Sequence, residues 1–277
     1  MTDIPLAVLG LPQDNNSSFL IGPALAPARI RQAFFSPSAN LFSELGFELT
    51  SPEVWIDAGD VDLDGMSGED AFAAIHDRVA GLLSGGHRVI SLGGDHSVSF
   101  PAIHAHASAI QKLSVLHIDA HPDLYEDMDG NRYSHASPFA RLMENGTINR
   151  LVQVGIRTLT AHQREQAQKY NVEIHEMRDL SRVSDIAFDG AVYLSLDLDA
   201  MDPAFVPGVS HHEPGGLSVR DVLNIVHSFN GQLIGADLVE LNPHRDLHDM
   251  TAMVAAKILK EMMGRILQDR LALRGEP

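Results

Sequence analysis

At 277 residues, 44% of them hydrophobic, the chain is long enough to bury a large core, and with no cysteine it has no disulfide framework, which agrees with a reducing compartment. A formal charge of −17 argues against a nucleic-acid backbone as partner and favours a cationic ligand. No apolar run approaches the roughly 18 residues of a membrane span, and Met1-Thr2-Asp3-Ile4-Pro5 shows no basic region ahead of an apolar stretch, so the expectation is a soluble, cytoplasmic chain.

In chain order, Leu6 to Leu9 reads as a first buried strand, followed by a long polar loop, Gly10 to Pro23, of a length often tied to function. Pro27 suits the first turn of a helix carrying Ile30, Ala33 and Phe34, ended by Ser36-Pro37. After a short strand, Val54 to Ile56, Ser67 is placed to cap a helix on which Phe72, Ile75, Val79, Leu82 and Leu83 recur at helical spacing. Val89 to Leu92 is the next strand and closes on Gly93-Gly94-Asp95-His96. Pro101 opens another helix, where His104 and His106 read as surface or packing residues.

The run Leu113 to Leu116 leads into His117-Ile118-Asp119-Ala120-His121-Pro122-Asp123, then a loop from Leu124 to Ser137 and a helix from Pro138 with an Asn145-Gly146 stop. Leu151 to Val154, Ala161 to Tyr170 and Val172 to Ile174 continue the alternation of strand, helix and strand. Val192 to Leu196 closes on Asp197-Leu198-Asp199, and a Pro- and Gly-rich loop leads to a helix capped by Ser218. Leu233 to Ala236 is the last strand, ending at Asp237-Leu238-Val239-Glu240, before a helix from Met250 to Leu267. Such alternation predicts an α/β fold with a parallel sheet covered by helices on both faces. With candidate ligands spread from His96 to Asp199, residues 1–277 read as one domain.

In extended chain alternate side chains share a face, so Asp119, His121 and Asp123 can converge where their strand ends. Asp197 with Asp199, and His96, close two further apolar runs. Loops beyond the carboxyl ends of parallel strands form the ligand crevice of such sheets. Aspartate oxygens and imidazole nitrogens without thiolate suit a divalent ion such as Mn²⁺ or Zn²⁺.

Gly93-Gly94-Asp95-His96-Ser97, Asp119-Ala120-His121-Pro122-Asp123, Ser195-Leu196-Asp197-Leu198-Asp199 with Asp202-Pro203, and Asp237-Leu238-Val239-Glu240-Leu241-Asn242-Pro243 together resemble the ureohydrolases, the arginase and agmatinase family. Asn16-Ser17-Ser18-Phe19-Leu20, Gly130 to Ser137, Val154-Gly155-Ile156-Arg157, Pro207 to His211 and Glu213 to Ser218 look like plant-type arginases. The resemblance implies a three-layer αβα fold on a mostly parallel eight-stranded sheet, and a homo-oligomer, trimer or hexamer. It makes His96 and His121 terminal ligands to two ions, usually Mn²⁺ with Ni²⁺ or Co²⁺ as alternatives, and Asp119, Asp123, Asp197 and Asp199 the carboxylates. Four carboxylates balance two divalent ions, and a water between paired ions has its pKa drawn from 15.7 towards about 7.

By the same resemblance His135 relays protons, a task suited to an unperturbed pKa near 6.5, and Glu240 pairs with the substrate guanidinium. Asn131 and Ser134 lie in the loop expected to border the far end of the pocket, and His211 lines the pocket, orients Glu240 or shapes its loop. His212 is read as exposed. The implied reaction is hydrolysis of a small cationic guanidino compound to urea and an amine: L-arginine first, agmatine or 4-guanidinobutyrate as alternatives. A deacetylase of acylated amines on the same fold is the competing reading. A dinucleotide-binding enzyme is disfavoured, since no Gly-x-Gly-x-x-Gly turn follows an early strand.

Overall fold

Each apolar run marked as a strand forms one: β1 (Leu6–Leu11), β2 (Trp55–Asp60), β3 (Arg88–Gly93), β4 (Ser114–Ile118), β5 (Arg150–Ile156), β6 (Glu173–Glu176), β7 (Ala187–Asp197) and β8 (Asn230–Val239). The computed structural model describes residues 6–180 and 186–274; Met1–Pro5, on which the leader reading rests, lies outside the described residues. The strands pair in the order β2-β1-β3-β8-β7-β4-β5-β6, every pairing parallel. Strands buried on both faces carry near-continuous apolar runs, as β1 and β4 do with every residue buried.

Among the described residues seven helices cover the sheet: α1 (Ala26–Phe34), α2 (Gly68–Ser84), α3 (Ser99–Ala109), α4 (Pro138–Glu144), α5 (Ala161–Tyr170), α6 (Val219–Ser228) and α7 (Met250–Arg274). The twofold alternation of β1 shows how the layers divide. Leu6 and Val8 join a core with Ile30 and Phe34 of α1, Val222 of α6 and Ile258 of α7. Ala7, Leu9 and Leu11 join another with Ile75 and Val79 of α2 and Ala102 of α3. Farther along that second face, Val115 and Leu151 pack with Phe139 of α4 and Ala167 of α5. Among the described residues no helix is long and apolar enough to cross a membrane.

Some boundaries differ from the sequence reading. Ser67 makes no capping bond; the first turn of α2 has Glu69 and Asp70 near its N-terminus instead, where the helix dipole favours negative charge. Ser218 does cap α6, in a reciprocal pair with Asp221, and an unforeseen pair of the same kind, Thr160 with Gln163, starts α5. α7 continues past Leu267 to Arg274, and β7 and β8 begin several residues earlier than their apolar cores. His106 on α3 is fully buried and takes the packing role rather than the surface one.

For the site, the decisive feature is that β3, β8, β7 and β4 are adjacent at the middle of the sheet. Single turns of 3₁₀ helix follow β3 and β7 at His96–Val98 and Leu198–Ala200, with Asp95 and Asp197 accepting from the backbone N–H groups of Ser97 and Asp199. Those turns tuck the residues after each strand back over its end. At Gly94 the chain runs so close to Gln13 that a Cβ would overlap the Gln13 carbonyl, so only glycine fits.

Candidate active site

The ends of β3, β4 and β7 bring His96, Asp119, His121, Asp123, Asp197 and Asp199 together, and the end of β8 between β3 and β7 adds Glu240. His96 Nδ1 lies 3.2 Å from Asp119 Oδ2, 3.0 Å from Asp123 Oδ2 and 3.2 Å from Asp197 Oδ2. His121 Nδ1 lies 3.1 Å from Asp199 Oδ2 and 3.5 Å from Asp119 Oδ1. Asp119 thus faces both histidines, one oxygen towards each. Among the described residues two groups have metal-ligand spacing, His96 with His117, Asp119 and Asp123, and Asp119 with His121 and Asp199, so Asp119 belongs to both.

Proton directions test whether cations suit these groups. Ser195 Oγ gives its single proton to Asp237 Oδ1 at 2.7 Å, so it accepts from His96 Nε2 at 3.0 Å. In neutral His96 the lone pair is then on Nδ1, which is buried without a hydrogen bond and points at three carboxylates. Burial opposes a positive imidazole here, yet the nearness of the Asp119, Asp123 and Asp197 carboxylates raises the His96 pKa well above its ordinary value. Burial followed by repulsion from Asp199 and Asp119 drives Asp197 well above the carboxylate range, and burial lifts Asp199 to about 6. Every one of these shifts expresses a demand for positive charge, which divalent ions with oxygen and imidazole ligands meet.

Beside this cluster, His135 Nδ1 is 2.8 Å from Glu240 Oε1, and the Ser18 N–H donates to His135 Nε2 at 3.1 Å. Burial would depress the His135 pKa, but the Glu240 carboxylate prevails and lifts it to about 9. The Ser18 bond acts in the opposite sense, because it needs Nε2 as an acceptor. Glu240 follows β8 directly, with a left-handed φ of 66°, and its Oε1 also accepts the His96 N–H at 2.8 Å. Asp123 is left-handed as well, at φ 50°. Non-glycine residues held in that region cost energy and gather at functional sites.

The loop Gly10 to Pro23 reaches this site through polar bonds. Asp95 Oδ2 accepts the Asn16 N–H at 2.9 Å, the Asn16 carbonyl accepts the His135 N–H at 3.1 Å, and Asp14 Oδ2 accepts from Gly22 and Ala24. A cavity of about 260 Å³ opens over the cluster, lined by Ser18, His121, Asp123, His135, Asp197, Asp199, His211 and Glu240, with Tyr125, Met128, Thr158, Gln163 and Glu213 completing the wall. The His211 ring is 5.4 Å from that of His135 and 5.7 Å from that of His121. His212 is exposed, its Nε2 2.8 Å from the Pro207 carbonyl.

Asn131 and Ser134 do not line this cavity. The Asn131 amide donates to Asn16 Oδ1, and Ser134 Oγ accepts from the Ala136 N–H, so both brace loops. Sequence reasoning passed over Ser18, His117, Gln153 and Ser195. His117 shares the strand face of Asp119 and lies 2.7 Å from its Oδ2; the alternate-residue rule that selected Asp119 and His121 reaches it too.

The Arginase family model matches residues 4–264. The mitochondrial arginase of Medicago truncatula is 46% identical over 94% of this chain and 81% of its own length. An N(1)-aminopropylagmatine ureohydrolase of Thermus thermophilus is 35% identical over 94% of this chain and 89% of its own. The solved structure of arginase from Medicago truncatula superposes with a TM-score of 0.90 at 45% identity, covering 95% of this chain and 88% of that one. Plant relatives at 44–46% identity are named as mitochondrial or chloroplastic enzymes. These names overturn the cytoplasmic expectation, which composition and the absence of thiols could not carry.

Proposed function

From the premise that the chain belongs to the arginase family and is a hydrolase of its ureohydrolase type, we propose that it converts L-arginine to L-ornithine and urea. The observation that carries the reading is the lone-pair nitrogen of His96 aimed at three carboxylates, one of which, Asp119, also faces His121. We assign His96, Asp119, His121, Asp123, Asp197 and Asp199 as ligands to two divalent ions, Mn²⁺ by preference for an oxygen-rich set, with Ni²⁺ or Co²⁺ as alternatives. When bound, such a pair of ions acidifies a water and supplies a nucleophile near neutral pH.

The chain's own groups do the rest. Glu240 Oε1 is committed to His96 and His135, so Oε2 is the oxygen we assign to a guanidinium N–H; it holds the planar group with its carbon towards the ligand cluster. His135, between Ser18 and Glu240, as imidazolium hands a proton to the amine as its bond to the guanidinium carbon breaks, and takes up another from solvent once the amine has left, at a site where Ser18 favours the neutral ring and Glu240 the charged one. Elsewhere in the wall Tyr125 and Gln163 offer neutral donors and Glu213 a carboxylate, while Thr158 gives its hydroxyl proton to the Ala120 carbonyl. That combination suits the α-carboxylate and α-ammonium of arginine and takes the role expected of Asn131 and Ser134. We also read residues 1–277 as one catalytic domain, since ligands from residues 96 to 199 converge, and the enzyme as a homo-oligomer on family likeness.

The test is urea release by Mn²⁺-loaded protein offered L-arginine, agmatine and 4-guanidinobutyrate separately at matched concentrations. Arginine is expected to be turned over best. Preference for either of the others would move the substrate assignment within the family, and no urea from any of them, with metal shown to be bound, would overturn it.

A further inference from the structure

Below the candidate ligands a row of buried polar side chains crosses the sheet. Parallel register sets Ser91 of β3 beside Asp237 of β8, Asp237 beside Ser195 of β7, Ser195 beside His117 of β4, and His117 beside Gln153 of β5. All five are 0% exposed, at positions where a sheet covered on both faces ordinarily carries Val, Ile or Leu. Polar groups buried there cost stability unless partnered, and the partners of this row lead to the ligand cluster.

Two short chains of hydrogen bonds with fixed proton directions run through it. In the first, Tyr193 and Ser195 hydroxyls both donate to Asp237, at 3.0 and 2.7 Å, which leaves Ser195 Oγ to accept from His96 Nε2. In the second, Gln153 Nε2 lies 2.6 Å from the Pro122 carbonyl, an acceptor only, so that atom is the amide nitrogen and donates also to His117 Nδ1 at 2.9 Å. The His117 proton is therefore on Nε2 and goes to Asp119 Oδ2 at 2.7 Å. His117 lies within ligand distance of the cluster, but both its nitrogens are already occupied. Asp119 Oδ1 accepts the His121 N–H at 2.6 Å, so each oxygen of this shared carboxylate is aimed by one donor.

Resting on the metal-site reading above, we propose that Ser195 and His117 are positioning residues for the two-ion site: Ser195 turns the His96 lone pair to the ions, and His117 aims Asp119 between them. Asp237 and Gln153 set the proton direction in each chain. Outer partners of this kind typically change metal affinity by 10- to 100-fold. Because Asp119 faces both histidines, disturbing His117 weakens both ions, whereas disturbing Ser195 acts first on the ion held by His96.

The experiment is calorimetric titration of metal-stripped full-length protein with Mn²⁺, alongside the thermal midpoint of the stripped form. Ser195→Ala and His117→Phe are each expected to weaken binding by about 10- to 100-fold, and His117→Gln, whose amide can place a donor near the position of Nε2, to recover most of it. A Ser195→Ala protein that binds both ions as tightly as the parent overturns the proposal, as does a His117→Gln protein no better than His117→Phe. If His117→Phe does not fold, Gln153→Leu, which frees the His117 tautomer, stands in and should weaken binding. Failure of the parent itself to bind Mn²⁺ would sink the metal-site reading instead, so the two failures are distinguishable.

Discussion

His106 shows how much one buried side chain can disclose about pH. Its Nδ1 donates to the Ala102 carbonyl at 2.9 Å, while Nε2 lies buried without a partner against Gly235. Burial pushes its pKa down to about 4 in spite of the Ala102 bond. The folded chain therefore keeps this imidazole neutral where the unfolded chain takes up a proton, and its stabilising effect is complete above about pH 6.5 and is lost as pH falls towards 4. By linkage the loss is about 3 kcal/mol. Urea unfolding of the parent and of His106→Leu at pH 7.5 and pH 4 checks this: the parent should lose about that much more than the variant, and parallel losses would refute it. His106 itself was legible in sequence only as a helical histidine, surface or packed. The strand-end ligands were legible because alternation is local and needs no partner strand. Ser18 was not, since its bond to His135 spans 117 positions, and Gln153 was not, since only register places it beside His117.

At the level of elements, the described strands were readable from apolar runs and the described helices from apolar spacing, a leading proline, a cap or, for α5, the alternation of elements alone; their ends were less so, because polar contacts decide them. Arg265 on α7 is one such contact. Its guanidinium donates to the carbonyls of Val226, His227, Phe229 and Gly231, pairs with Asp269, and stacks 4.3 Å over Phe229. It thus satisfies carbonyls at the end of α6, which lack intrahelical partners, and at the start of β8. Arg265→Met keeps the apolar stem and strands these carbonyls, and it should destabilise the protein by about 3 kcal/mol. Urea denaturation should show a lower midpoint at unchanged slope. Loss of under about 0.5 kcal/mol, the scale of an ordinary surface change, would mean that water replaces the guanidinium without cost.

For the whole molecule, metal and fold should be linked. Asp197 and Asp199 are buried acids crowded together, and ions that bind only the folded chain stabilise it by mass action. Free Mn²⁺ at about a hundred times its Kd adds about 2.7 kcal/mol. Thermal scans of chelator-stripped protein across rising Mn²⁺ should show a midpoint that climbs with concentration; a flat response over three decades would break the link. The strand order has another bearing, on how such a chain is made. β8 comes last of the strands yet is the sole join between β2-β1-β3 and β7-β4-β5-β6. On a ribosome, where residues emerge from the amino terminus onward, the two half-sheets must wait with open inner edges until residue 239 is free. Open edges invite pairing with other chains, so the interval before β8 slots in is when this chain is most exposed to wrong partners, and a chain cut short of it leaves two separate halves with their binding residues divided between them.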